Sequence, residues 1–248
     1  MKKIGIVGGV AWRSTLEYYS QICRRCEQAQ LARNPKTIPS IPEISIESLD
    51  FHKAVSYLGR DDEEASWRQF DEYHRRALLR LESSGAEVAL IASNTPHHRF
   101  TPIVRGIRIP VLNIVDAAAR ESARIGATEV LILGTTLTMQ SKPFREGFEK
   151  LGIPAAGPRS AQARGRTVAL TEELQVGNGK GAAEELCAIV RRATSRAESQ
   201  PSVCLACTEL PLAFPQHSMR ASFEHDGIRF INPTAAHIEA VLQFVWSE

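Results

Sequence analysis

Short apolar runs alternate with longer amphipathic stretches along this chain, and the rhythm predicts strands separated by helices. Ile4-Gly5-Ile6-Val7 reads as a short buried strand ending in Gly8-Gly9. The helix after it carries Ser14-Thr15-Leu16-Glu17 at capping-box spacing. A proline-bearing stretch over 35–42 leads into Glu43-Ile44-Ser45-Ile46-Glu47, which alternates as a half-buried strand does. A polar helix over 63–83 precedes Glu87-Val88-Ala89-Leu90-Ile91-Ala92, a continuous apolar run typical of a strand covered on both faces. Val111-Leu112-Asn113-Ile114 reads as a further strand, and a helix over 116–124 ends at Gly126.

The second half repeats the scheme. Residues 129–134 form a strong strand running into Thr135-Thr136, followed by helices near 141–151, 169–176 and 182–198. Ser202-Val203-Cys204-Leu205-Ala206 is a buried strand whose end carries Cys207-Thr208-Glu209. Ile228-Arg229-Phe230-Ile231 and an amphipathic helix after Pro233 close the chain. This order implies parallel sheets flanked by helices, an α/β fold. Each half opens with a strand ending in a small-residue turn and later offers a buried strand ending in polar residues, Ser93-Asn94-Thr95 or Cys207-Thr208. Open α/β sheets bind ligands at such strand ends.

Composition narrows the function. The 248 residues are 43% hydrophobic and 23% charged, enough for a substantial core. The net charge is only +2, and pairs such as Arg24-Arg25 and Arg191-Arg192 are scattered. A nucleic-acid surface would need clustered basic charge, so none is expected. No apolar run approaches the roughly 20 residues of a bilayer span. The first segment turns glycine-rich too early for a signal peptide, and a cytoplasmic protein is expected. Five cysteines without an export signal favour reduced thiols. Cys23-x-x-Cys26 and Cys204-x-x-Cys207 invite a zinc reading, but a strand sends residues i and i+3 to opposite faces. No metal is expected, and the remaining cysteines read as small packing residues.

Gly5-x-x-Gly8-Gly9 is not the dinucleotide fingerprint, and no Walker-type lysine follows it. Its backbone N–H groups suit a small anion. Ser93, Asn94, Thr95 and Thr208 add donors of the sort that hold a carboxylate. Cys207 is the most reactive group on offer, since modest positive potential brings a thiol towards ionisation near neutrality. His97 suits either a proton relay or a packing role.

The segment from Ile4 to Thr15, with Tyr18-Tyr19 beyond it, resembles the opening of the aspartate/glutamate racemase superfamily. Ser48-Leu49-Asp50-Phe51 is similar to a segment of its broad-specificity branch. Ser93-Asn94-Thr95-Pro96-His97 resembles the first catalytic motif, and Leu133-Gly134-Thr135-Thr136 the start of the second half. Glu172-Glu173-Leu174, Cys207-Thr208-Glu209-Leu210-Pro211 and Pro233-Thr234-Ala235-Ala236-His237 match later segments in order. The resemblance implies two similar α/β domains, pseudo-twofold related with the site in the cleft between them. Its expected boundaries are 1–115 plus 213–248 for the first domain and 116–212 for the second. It also implies a dimer, a small acidic amino acid as substrate and no cofactor. Cys207 would remove and return the α-proton, with Ser93 in the opposing catalytic position. Val10, Asn94, Thr95, His97, Thr135, Thr136 and Thr208 would bind the substrate.

The departures from the family pattern are also informative. Ser93 stands where a cysteine or threonine is usual, so a two-thiol mechanism does not apply. Val10 replaces a methionine and Arg13 an acidic residue. Leu58 replaces a polar ligand, and near Gly165 the family's lysine is missing, with Arg164 and Arg166 beside it. Two other functions remain open: a single-cysteine decarboxylase of the arylmalonate type, and a non-catalytic amino-acid-binding homologue.

Overall fold

The structure is a computed structural model that describes residues 1–194 and 201–247. The chain divides into two compact units, 1–113 with 238–248, and 114–237. In the first, β1 (Ile4–Gly8) is followed by α1 (Trp12–Arg33), β2 (Ile44–Ser48), α2 (Phe51–Ser56) and α3 (Arg68–Ser83). Then come β3 (Val88–Ile91), α4 (Phe100–Val104) and β4 (Val111–Leu112). The strands form one parallel sheet in the order β2-β1-β3-β4, with Ile4 opposite Val88 and Val7 opposite Ile91. Parallel strands need crossovers, so α1 and α3 cover the sheet and its central strands are buried. Ile4, Ile6, Val88 and Leu90 pack with Tyr18, Ile22 and Cys26 of α1.

The second unit begins with α5 (Ile114–Arg124), β5 (Val130–Gly134), α6 (Thr136–Gln140), α7 (Lys142–Glu149), β6 (Ala155–Ala156) and α8 (Ala161–Gln175). It continues with α9 (Ala182–Thr194), β7 (Ser202–Ala206), the hairpin β8 (Ser222–His225) and β9 (Ile228–Ile231), and the start of α10 (Pro233–Trp246). Its sheet order is β6-β5-β7-β9-β8, parallel except for β8. Strand alternation separates two cores. Leu131, Leu133, Val203 and Leu205 meet α8 and α9 on one face, while Val130, Ile132, Cys204 and Ala206 meet α5 and α7 on the other. Cys204 and Cys207 accordingly belong to opposite cores.

Several expectations are corrected. Residues 213–237, assigned to the first domain from sequence, belong to the second unit, where β9 pairs with β7 through Val203 and Phe230. Phe214, Phe223 and Phe230 stack together there, with ring centroids 4.9–5.4 Å apart. A period-2 apolar pattern names a strand but not the sheet it joins. Only 238–248 return to the first unit, where Ile238, Val241, Leu242 and Val245 of α10 complete the core. The capping box at Ser14 is also absent, because α1 starts at Trp12 after Ala11 with no side-chain cap. The Thr15 hydroxyl instead accepts from Gly9 N–H at 2.9 Å, tying the helix back to the β1 turn. The helix expected over 169–176 starts at Ala161, capped by Ser160. The final residues of the helix expected over 182–198 lie outside the described ones. No helix among the described residues is long and apolar enough to cross a membrane.

Candidate functional site

In the first unit the polar residues gather where β1 and β3 end. These strands are neighbours in register, so their C-terminal turns emerge side by side. Gly9 has φ +86°, and a Cβ there would lie 2.2 Å from the Leu49 carbonyl oxygen. Only glycine fits that left-handed turn, and Val10 follows it half-buried at the foot of α1.

Beyond β3, Ser93 is 8% exposed and Asn94 3% exposed. Neither the Nδ2 nor the Oδ1 of Asn94 has a hydrogen-bond partner among the described residues. A buried amide left unmade costs about 1–3 kcal/mol, so an entire orphaned amide at a strand end marks a place for a polar ligand. Thr95 opens the single 3-10 turn that follows and is half-buried.

His97, expected to bind substrate, is buried at 1% exposure. Its Nδ1 lies 3.0 Å from Asn113 Oδ1 and its Nε2 3.3 Å from the Ile91 carbonyl oxygen. Its ring stacks on Phe100 at 5.4 Å. Burial pushes its pKa down from an ordinary 6.5 to about 4, so the ring is neutral at physiological pH. A neutral imidazole has one N–H, so one of these two contacts is its donated hydrogen bond. The ring braces the turn that carries Ser93 and Asn94.

In the second unit the corresponding place is the end of β5 and β7. Gly134 and Ala206 are register partners, which sets Thr135 beside Cys207. Thr135 caps α6, its hydroxyl accepting from Thr138 N–H at 3.2 Å and sharing a hydrogen bond with the Thr138 hydroxyl at 3.0 Å. Thr136 is exposed at the first helical position. Cys207 is 7% exposed and donates its thiol to Glu209 Oε2 at 2.9 Å. The Thr208 hydroxyl donates to the same oxygen at 3.1 Å, so its proton faces inward. Burial above all, and then the Glu209 carboxylate, push the Cys207 thiol well above its ordinary range. Backbone N–H of Glu209 and the Thr171 hydroxyl pull the other way.

Sequence reasoning passed over Asn113, Thr171 and Glu209 as site residues. Glu209 was within a recognised motif, but nothing in the spacing says that its carboxylate turns back to the sulfur. The arginines beside Gly165 are already engaged. Arg164 Nη1 donates to the carbonyls of Pro158 and Arg159 at 2.8 and 2.7 Å, and Arg166 pairs with Glu185. Among the described residues, no group of three or more His, Cys, Asp or Glu side chains is placed to hold a metal ion.

The profile of the Asp/Glu/Hydantoin racemase family matches residues 7–241. An aspartate racemase homologue from Pyrococcus horikoshii is 29% identical, with all of both chains covered and a TM-score of 0.75. The aspartate racemase of Picrophilus torridus is 18% identical over 98% of this chain and 94% of its own, with a TM-score of 0.71. The glutamate racemase of Campylobacter jejuni shares the fold at 18% identity, covering 98% of this chain and 85% of its own, with a TM-score of 0.64.

Proposed function

We propose a specific activity for this chain, which belongs to the Asp/Glu/Hydantoin racemase family: cofactor-independent racemisation of a small acidic amino acid. The observation that carries the reading is the buried Cys207 thiol at the end of β7, hydrogen-bonded to a carboxylate. A thiol with a raised pKa gives a scarce but strongly basic thiolate, suited to a weakly acidic carbon.

In this reading Cys207 removes the α-proton from the L-form and returns it in the reverse direction. The electron pair left on carbon spreads into the α-carboxylate, and hydrogen-bond donors lower the barrier by meeting that charge. The unpartnered Asn94 amide supplies such a donor, and Thr95 adds a second. Ser93 occupies the position of the family's first-half catalytic residue. Its hydroxyl is a much weaker acid and base than a thiol, so proton delivery there passes through the hydroxyl to or from water. The reaction is one-sided, faster from the L-form. The neutral His97 holds the Ser93 turn in place without exchanging a proton with substrate.

The test is proton NMR in D₂O with L- and D-aspartate and L- and D-glutamate offered separately. Loss of the α-proton signal, faster from the L-forms and absent in Cys207→Ala, is the expected result. No loss from any amino acid overturns the reading. Carbon dioxide release from a substituted malonate would then point to a decarboxylase, and binding without exchange to a non-catalytic homologue.

A further inference from the structure

We propose that Arg99 is a positioning residue for substrate binding. By gripping Glu64 and Asp71 it holds the turn that follows Asn94, and so aims the Asn94 amide at its ligand. The inference rests on the racemase reading for the identity of that ligand, an amino-acid carboxylate.

The Asn94 amide is buried and has no hydrogen-bond partner among the described residues. A donor held by no bond of its own keeps its direction only if the backbone that carries it is held. Hydrogen bonds weaken steeply once their angle falls towards about 120°, so a small tilt of the turn costs much of the bond. The 3-10 turn Thr95–Arg99 begins next to Asn94. His97 anchors its middle through Ile91 and Asn113. Its far end is held by Arg99.

The Arg99 guanidinium makes four hydrogen bonds to two carboxylates. Nε and Nη2 donate to Asp71 Oδ1 and Oδ2 at 3.1 and 2.7 Å. Nη1 and Nη2 donate to Glu64 Oε2 and Oε1 at 2.7 and 2.6 Å. Both contacts are two-pronged, a geometry that the planar fork of arginine allows and a lysine ammonium does not. Asp71 is 6% exposed in the first turn of α3, so this arm ends on a fixed element. Glu64 opens the 3-10 turn Glu64–Trp67 that leads into the same helix.

Two further contacts reinforce the grip. The guanidinium lies over the buried Trp67 ring, 5.4 Å from its centroid. His98 Nε2 lies 2.9 Å from Asp61 Oδ1, and the His98 ring is 5.3 Å from Trp67. The Trp67 indole N–H in turn donates to the Arg60 carbonyl at 3.0 Å, tying residue 60 to the start of α3. The far end of the Asn94 turn is therefore fastened to α3 and to the segment before it, all within the first unit. The Arg99 side chain is only 12% exposed, so water competes weakly for its bonds.

A mutant cycle with Asn94 separates positioning from plain stability. The measured quantity is the dissociation constant for L- and D-aspartate and L- and D-glutamate, by calorimetry. Lysine keeps the charge but loses the fork, so Arg99→Lys loosens the grip without leaving Asp71 unpaired. Affinity should fall about 3–10-fold, as expected of a hydrogen bond turned off its best angle. In the Asn94→Ala background the same change should cost less than about twofold, because the amide it aims is gone. An arginine that is merely structural weakens binding equally in both backgrounds, or in neither, and either result overturns the proposal.

Should Arg99→Lys not fold, Glu64→Gln takes its place in the cycle. The Glu64 side chain is 79% exposed, so this change spares the core while weakening one arm of the grip. A loss of affinity that disappears in Asn94→Ala supports the proposal, and an equal loss or none overturns it. Binding without α-proton exchange overturns the racemase reading and leaves the cycle to decide on Arg99. Absence of binding for all four amino acids overturns this proposal as well.

Discussion

Gly134 approaches Ala206 so closely that a Cβ on the glycine would lie 2.5 Å from the alanine carbonyl oxygen. The two residues are register partners at the ends of β5 and β7. That contact sets the distance between the Thr135 turn and Cys207. Gly134→Ala should cost about 1–3 kcal/mol, since backbone rather than a flexible side chain must move. Urea denaturation checks the stability. Activity should fall further than stability does, because the Ala206 backbone that must move leads directly into Cys207.

Asn94 is the reverse case, a buried residue whose side chain stabilises little. Its amide makes no hydrogen bond to the described residues, so Asn94→Ala removes none. Stability should change by less than about 1 kcal/mol, and an increase is allowed because an orphaned amide is costly. Substrate affinity should fall on the order of 10–100-fold, the worth of a hydrogen bond to a charged group. A large stability loss with unchanged KM would show that Asn94 is structural.

Acid should weaken the first unit through two histidines. His74 and His97 are both buried there, and burial pushes each from an ordinary 6.5 to about 4. The folded protein keeps both rings neutral while the unfolded chain protonates them first. Their contribution is therefore complete above pH 6.5 and is lost as the pH falls towards 4, on the order of a few kcal/mol for the pair. Denaturant midpoints between pH 7 and pH 4.5 measure it. His74→Gln should flatten the dependence, and an equally steep profile in that variant would refute the assignment.

The cysteines separate by position. Cys207→Ala should abolish α-proton exchange, whereas Cys23→Ala on the rim of α1 should leave it intact. Ser93→Cys places a thiol at the other strand end and should raise exchange from the D-form on the order of tenfold or more. Exchange measured separately for the two enantiomers checks both.

Periodicity made much of the fold legible. Continuous apolar runs at 87–92 and 202–206 name parallel central strands because both faces are covered, and β3 and β7 lie there. The end of β7 likewise places Cys207, and the family resemblance rests on motifs contained in short contiguous segments. Where an apolar pattern had to choose a partner, sequence was silent. The 228–231 strand joined β7 in the second unit because Phe230 completes an aromatic cluster there.

Side-chain direction was equally hidden. Ser14 does not cap α1, the Thr15 hydroxyl beside it turned to Gly9, and both nitrogens of His97 were taken up by Ile91 and Asn113. The chain by itself determined which groups exist and which strands bring them to a turn, since period and composition are local properties. Tertiary structure alone decided that the Glu209 carboxylate faces the Cys207 sulfur and that Asn94 is buried with its amide unpaired. Rotamers and partners are set by what packs around a residue, and those neighbours come from distant parts of the chain.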